Sequence, residues 1–165
     1  YENELIELNS NRAYTHSFDP QFQNLNYFIE VLFDVRSSKV KRYNDQTRTT
    51  EDFITLSDNP NITYFAEHLK LDTISNKLYV AISKSNTNNA PDGSIFQSEV
   101  RIYNLLTGIL EKNIVISNTM GDRIKGLQIE SDGSFFVLEN KNNAVKYFNS
   151  NGDLISNWGA FGTLD

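Results

Sequence analysis

Chemistry has few places to reside in this chain. None of its 165 residues is cysteine, so there is no thiol nucleophile, no thiolate metal site and no disulfide. His16 and His68 are the only histidines, and neither stands at a zinc-ligand spacing from the other. The most suggestive adjacency is Glu67-His68, a carboxylate beside an imidazole. Its plain alternative is a surface acid next to a hydrogen-bonded ring. The second candidate is the stretch 83–98, which holds Asn86, Asn88, Asn89, Pro91, Asp92 and Gly93. Its side-chain oxygens suit a cation or a sugar hydroxyl. It lacks the Asp-x-Asn-x-Asp-Gly run and closing Glu of a calcium loop, and Asn, Ser and Gly are also what ordinary loops contain.

The composition limits the partners. Fifteen basic against twenty-one acidic side chains leave a net charge of −6 and a pI near 4.9, which opposes a phosphate-backbone ligand. Nucleic acid is therefore set aside as a partner. At 39% hydrophobic, 22% charged and 12% aromatic, with only three Pro and eight Gly, the chain reads as globular rather than disordered or fibrous. Its apolar runs fall far short of the roughly 20 residues of a membrane helix, and no secretory leader opens it. An extracellular or periplasmic location is favoured. The sequon Asn61-Ile62-Thr63 has meaning only on a eukaryotic secretory route.

The elements that must position these residues are strands. Segments dense in β-branched and aromatic residues recur at 27–35, 77–82, 99–103, 124–130, 134–138 and 144–148. Turn formers separate them, including Asp132-Gly133 and Asn151-Gly152, which favour tight hairpins. No window of helical length carries a 3.6-residue apolar period. Leu69 and Leu71 alternate with polar neighbours, which predicts a strand at 67–71 rather than a helical turn.

A repeat organises these segments. Val100-Arg101-Ile102-Tyr103-Asn104 and Val145-Lys146-Tyr147-Phe148-Asn149 share the order Val, base, apolar, aromatic, Asn at a spacing of 45 residues. Val40-Lys41-Arg42-Tyr43-Asn44 is a third copy, and Leu5-Ile6-Glu7-Leu8-Asn9 a faint fourth. Periods of about 40–50 residues holding four short strands mark a β-propeller, whose blades stack because one sheet cannot bury both of its faces.

The run from Lys125 through Ser131-Asp132-Gly133-Ser134-Phe135-Phe136-Val137-Leu138-Glu139, then Asn143, Val145 to Phe148, Gly152, Leu154 and Trp158-Gly159, resembles an NHL repeat. The match covers about a quarter of the chain. Glu139 stands where that family usually has Asp, and Ala144 where it usually has Arg. The resemblance implies a propeller of four-stranded antiparallel blades used for protein or glycan recognition. Glu67 also resembles the inner-strand Glu of gluconolactonase-like, calcium-dependent lactone hydrolases, which implies the competing reading of a metal-dependent hydrolase or lactonase-like enzyme working in the propeller channel.

The expected architecture is all-β and an apparently incomplete propeller of about three and a half blades, part of a six-bladed ring. Residues 1–19 read as a partial blade, 20–58 as a blade, 59–120 as a blade with an inserted loop at 83–98, and 121–165 as the NHL-like blade. The opening Tyr1 and the mid-blade start point to a piece of something longer. The remaining blades, or a second copy of the chain, are the expected completing partners. The function expected is a binding or scaffold module without cofactor, calcium being the one candidate ion. Candidate ligand-binding residues are Glu67, His68, Asn86, Asn88, Asn89 and Asp92. No catalytic residue is named.

Smaller expectations follow from the same pattern. Asp34 and Glu139, each six residues before a repeat Val, are expected to accept backbone N–H groups in the next turn, with Ile82 in that place in the middle copy. Lys41, Arg101 and Lys146 read as a solvated stripe. Tyr43, Tyr103, Phe148 and Trp158 read as packing between blades.

Overall fold

The computed structural model describes residues 13–18, 25–31, 38–86, 94–141 and 143–159. Among them lie β1 (Ala13–Phe18), β2 (Leu25–Val31), β3 (Ser38–Asn44), β4 (Thr49–Thr55), β5 (Thr63–Asp72), β6 (Lys77–Ser85), β7 (Ile95–Asn104), β8 (Leu110–Ser117), β9 (Ile124–Ile129), β10 (Phe135–Glu139), β11 (Val145–Phe148) and β12 (Leu154–Trp158). No α-helix occurs among these residues. The strands form three four-stranded sheets, β1-β2-β3-β4, β5-β6-β7-β8 and β9-β10-β11-β12, each an antiparallel meander.

The first strand of each sheet sits beside the first strand of the next, β1 against β5 and β5 against β9. The sheets therefore stack face to face around a common inner side. Between the first two lies a core of Val40, Ile54, Leu56, Tyr64, Leu69, Leu78, Val80 and Ile82 with their neighbours. Between the second and third lies another, built on Tyr79, Ala81, Val100, Ile102, Ile114, Leu127, Phe135, Val137 and Phe148. β6 feeds both layers. Leu78, Val80 and Ile82 point one way and Tyr79 and Ala81 the other, so the strand is apolar without alternation because both its faces are covered. Each of the Leu, Val and Ile side chains taken out of water contributes about 1.5–3 kcal/mol.

The repeat explains itself in the turns. Asn44 and Asn104 end the third strands of their sheets and Asn149 directly follows β11, and each Oδ1 accepts two backbone N–H groups of the following turn: Gln46 and Thr47, Leu106 and Thr107, Asn151 and Asp153. An Asx turn needs nothing beyond local chain, so the residue recurs wherever the turn does.

Two boundaries differ from expectation. β1 pairs with β2, so the first sheet takes its inner strand from the stretch 1–19 and runs across the division placed at 19/20. The insertion is not a loop from 83 to 98. Ser83 pairs with Ser98, Lys84 with Gln97 and Ser85 with Ile95, and Ser83, Ser85 and Ser98 are buried. Extra length went into a longer ladder, because strand pairing satisfies backbone groups that a loop would leave to water. The faint copy at 5–9 and Asp34 lie outside the described residues.

Candidate functional site

β5 and β9 open alike. β6 and β5 pair Ile82 with Ala66 and Ala81 with His68, while β10 and β9 pair Glu139 with Ile124 and Leu138 with Gly126. Glu67 and Lys125 are thus the extra residues of equivalent bulges, which bend a strand and re-aim its side chains. Glu67 Oε1 lies 2.8 Å from Arg123 Nε, and the Arg123 guanidinium sits 5.5 Å from the centre of the Phe65 ring. Arg123 precedes β9, so this ion pair ties the second sheet to the third.

His68 is half-buried at the same seam. Burial is the largest influence and lowers its pKa from 6.5, against the opposing effects of the Glu67 charge and a hydrogen bond with the Lys125 backbone. The structure thus brings Glu67 and His68 together with Arg123 and Lys125.

Asn86 is exposed where β6 ends. Asn88, Asn89 and Asp92 lie outside the described residues. Ser85, beside Asn86, pairs with Thr63 at the mouth of β5. Glu67 lies four residues further along that strand, roughly 13 Å at strand rise. The hairpin and the Glu67-His68 seam therefore stand apart at one end of the sheets.

The hairpin is braced. Gly121 N donates to Ile95 O at 2.7 Å, Gln97 Nε2 to Asn118 Oδ1 at 2.8 Å, and Ser85 and Ser94 share a hydroxyl bond of 2.8 Å. Its ladder runs four residue pairs beyond Ala81–Val100, whereas the β10–β11 ladder stops at the equivalent pair Leu138–Val145.

A polar network at this end was not foreseen. Arg101, expected in a solvated stripe, is buried: Nε meets Glu99 Oε1 at 2.6 Å, one terminal nitrogen donates to Leu56 O at 2.9 Å and the other meets Asp58 Oδ2 at 3.0 Å. Lys84 Nζ takes the second oxygen of Glu99 at 2.6 Å, and Tyr64 donates its hydroxyl to Asp58. Burial, first, and Asp58 raise the Tyr64 pKa to about 12.

Lys146 repeats the arrangement one sheet on, 2.8 Å from Glu139 Oε1 and 2.7 Å from Ile116 O. Each base thus donates to the outer-strand edge of the preceding sheet, so the recurring base is an inter-sheet clamp. Lys41, in the first copy, pairs with Asp52.

Glu139 accordingly serves Lys146 rather than a following turn. The sequence signal for the clamp was the base at a fixed repeat position with an acid within two residues or on the neighbouring strand. Tyr103 and Phe148 do pack between sheets. Trp158 does not: it stands half-exposed beside Phe136 and Tyr147 on the outer face of the third sheet.

The acids and bases of this end largely neutralise one another, which suits holding blades in place more than moving protons. Among the described residues no three His, Asp or Glu side chains converge as a metal-ligating group.

No protein-family model matches the sequence, and no curated protein matches it. Solved structures do. A chain in the crystal structure of a nidogen/laminin complex superposes with a TM-score of 0.61 at 11% identity, over 93% of this chain and 49% of that one. An exo-β-1,3-galactanase from Clostridium thermocellum gives 0.48 at 10% over 81% and 34%, and the calcium-binding protein regucalcin from Agrobacterium tumefaciens 0.31 at 12% over 91% and 75%. The last two likenesses are too loose to carry an argument. This chain spans about half the length of the nidogen/laminin chain it matches. Three stacked four-stranded meanders with neighbouring inner strands, together with that superposition, identify the fold as a partial β-propeller.

Proposed function

We propose that the chain is a binding or scaffold module of a six-bladed, NHL-type propeller and recognises a protein or glycan at the end where its inner strands begin. The observation that carries this reading is the β6–β7 hairpin. It stands four residue pairs, roughly 13 Å, beyond the equivalent ladder of the third sheet. It is pinned near its far end, where Gly121 donates to Ile95 O and Asn118 accepts from Gln97. Ser83, Ser85, Ile95 and Ser98 of this extension are buried, so Asn86 is carried on a rigid ladder and loses little entropy on binding, which is why recognition concentrates in such places. Asn86, with Asn88, Asn89 and Asp92 nearby in sequence, supplies amide and carboxylate groups suited to sugar hydroxyls or peptide backbone. The matched fold occurs in an assembly of two proteins, nidogen with laminin. The NHL-like pattern falls on β9–β12, and its Asp132-Gly133 and Gly152 occupy the turns joining those strands.

The test compares the chain with a variant in which 86–94 is replaced by a two-residue Asn-Gly turn, both screened on glycan and peptide arrays. Binding by the chain that disappears in the trimmed variant, with circular dichroism unchanged, is the expected result. Equal binding by both would remove the hairpin from the site. In parallel, calcium is added during thermal denaturation. A rise in melting temperature that vanishes in Glu67→Ala would transfer the case to the hydrolase reading, since Glu67 would then be a ligand rather than the partner of Arg123.

A further inference from the structure

The seam between the second and third sheets changes character along its length. At its start Tyr79 and Phe135 meet edge to face, ring centres 5.8 Å apart, and the Tyr79 hydroxyl donates to Gly133 O. One layer on, Ala81, Val100 and Val137 share the apolar core. Alternation along β6, β7 and β10 then brings Ser83, Ser98 and Glu139 onto the same facing surfaces. Lys146 fixes the direction of Glu139, since its Nζ lies 2.8 Å from Glu139 Oε1 and 2.7 Å from Ile116 O of the second sheet.

This last layer is buried but not satisfied. Ser83 and Ser98 are 0% exposed and Glu139 1%, yet Ser83 Oγ, Ser98 Oγ and Glu139 Oε2 have no hydrogen-bond partner. A buried polar atom ordinarily has one, and three without it on facing surfaces call for a shared ligand. The hydroxyls face Glu139 without donating to it, a spacing that suits an intervening atom. The neighbouring turn adds charge. Asp122, 0% exposed, brings its carboxyl within hydrogen-bonding reach of Glu139, while its Oδ1 accepts the Lys141 N–H at 3.1 Å. Gly121 beside it donates to Ile95 O and so ties that turn to β7, the strand that carries Ser98.

Hydroxyl and carboxylate oxygens are the donors that hard cations take. Lys146 sets the charge of the ion, because an ammonium on the other oxygen of Glu139 repels a divalent cation twice as strongly as a monovalent one. We propose that Ser83 Oγ, Ser98 Oγ and Glu139 Oε2, with the Asp122 carboxyl, bind a monovalent alkali cation that pins the second sheet to the third. Without the ion, burial holds the Glu139 pKa above 4.5, with Lys146 opposing and Asp122 adding. The cation takes the place of that proton. The site lies inside the stack and does not depend on what the hairpin tip binds.

The chain, freed of alkali ions by dialysis, is melted in sodium chloride and in choline chloride at equal ionic strength, so that general screening is the same in both. The melting temperature should be several degrees higher in sodium and should climb with the logarithm of its concentration. Ser98→Ala is the sharpest variant. In choline it should melt with the parent chain, because its hydroxyl gives up no protein hydrogen bond. In sodium it should need about tenfold more salt for the same rise. Ser83→Ala should behave alike, and Glu139→Gln should abolish the difference between the salts. Glu51→Gln, an exposed acid of the first sheet, should keep that difference in full. Equal melting of the parent chain in the two salts would overturn the proposal and leave water as the partner of this layer. So would a sodium effect that both serine variants retain, or a Ser98→Ala loss of the same size in both salts. Circular dichroism shows which variants are folded, and the serine variants decide the matter if Glu139→Gln is not.

Discussion

Glu99 and Arg101 stand two residues apart on β7, with Oε1 and Nε 2.6 Å apart and side chains 0% and 4% exposed. The third sheet builds the same acid-base contact differently. There the acid is Glu139 on β10, and Ala144, whose carbonyl accepts the Glu139 N–H, takes the place that Glu99 holds opposite Ile82. The acid has crossed from one strand to its neighbour while the base has stayed on the third strand.

This exchange predicts a rescue. Glu99→Ala leaves Arg101 and Lys84 without their shared carboxylate and is expected to destabilise the chain by about 3–5 kcal/mol. Ile82→Glu added to that variant places an acid where Glu139 stands in the third sheet. It should recover about 1.5 kcal/mol or more, the value of a charge-assisted bond. The urea midpoint measures both, and a double variant no more stable than the single one would show the two strand positions are not equivalent.

Two groups at the sheet seams should give pH dependences of opposite sign. Burial, the largest influence, raises the Glu139 pKa above 4.5; Lys146 opposes this and the Asp122 carboxyl adds to it. A carboxyl raised in the folded state contributes its stability below 4.5 and loses it as pH climbs through the folded value. His68 is lowered from 6.5, first by burial. Its contribution is present above 6.5 and is lost as pH falls through the folded value. Unfolding free energies from about pH 4 to about pH 8 should therefore show Glu139→Gln gaining on the parent chain as pH rises above 4.5, whatever the constant offset from losing the Lys146 partner. His68→Asn should gain on it as pH falls below 6.5. A gap that does not vary with pH would refute the burial assigned to either group.

Gly152 and Gly159 should respond unequally to alanine. Both have left-handed φ, +85° and +87°, which costs any other L-residue about 1–2 kcal/mol. A Cβ on Gly152 would come 2.6 Å from Ile114 Cδ1, the far end of a side chain that can turn aside. On Gly159 it would overlap the Asn143 carbonyl oxygen, which is backbone. Gly152→Ala is therefore expected to cost little beyond the strain, and Gly159→Ala a further 1–3 kcal/mol or so. Thermal denaturation in which Gly152→Ala proves the worse of the two would contradict this placement.

Much of the fold was legible in the residues. The Val-base-apolar-aromatic-Asn repeat falls on β3, β7 and β11, and the strand at 67–71 lies within β5. The stretch 83–98, expected as an inserted loop, is ladder at 83–85 and 95–98, since apolar and serine positions there read equally well as loop or as ladder until the pairing is seen. Of the candidate binding residues, Glu67 and His68 gained partners that no spacing announced. Arg123 lies 56 residues from Glu67 and reaches it only because β9 packs beside β5.

The sequence alone determined what local chain chemistry controls: strands from β-branched and aromatic runs, and turns from Asn and Gly. Tertiary structure decided which side chains are inside. Shifting a strand by one residue exchanges its two faces, and a base on a given face is solvated or buried according to whether another sheet lies over it. That is why Arg101, on a covered face, is a buried clamp reaching Leu56 45 residues away, while Trp158, which looked like core, stands half in water on a face that the described residues leave open.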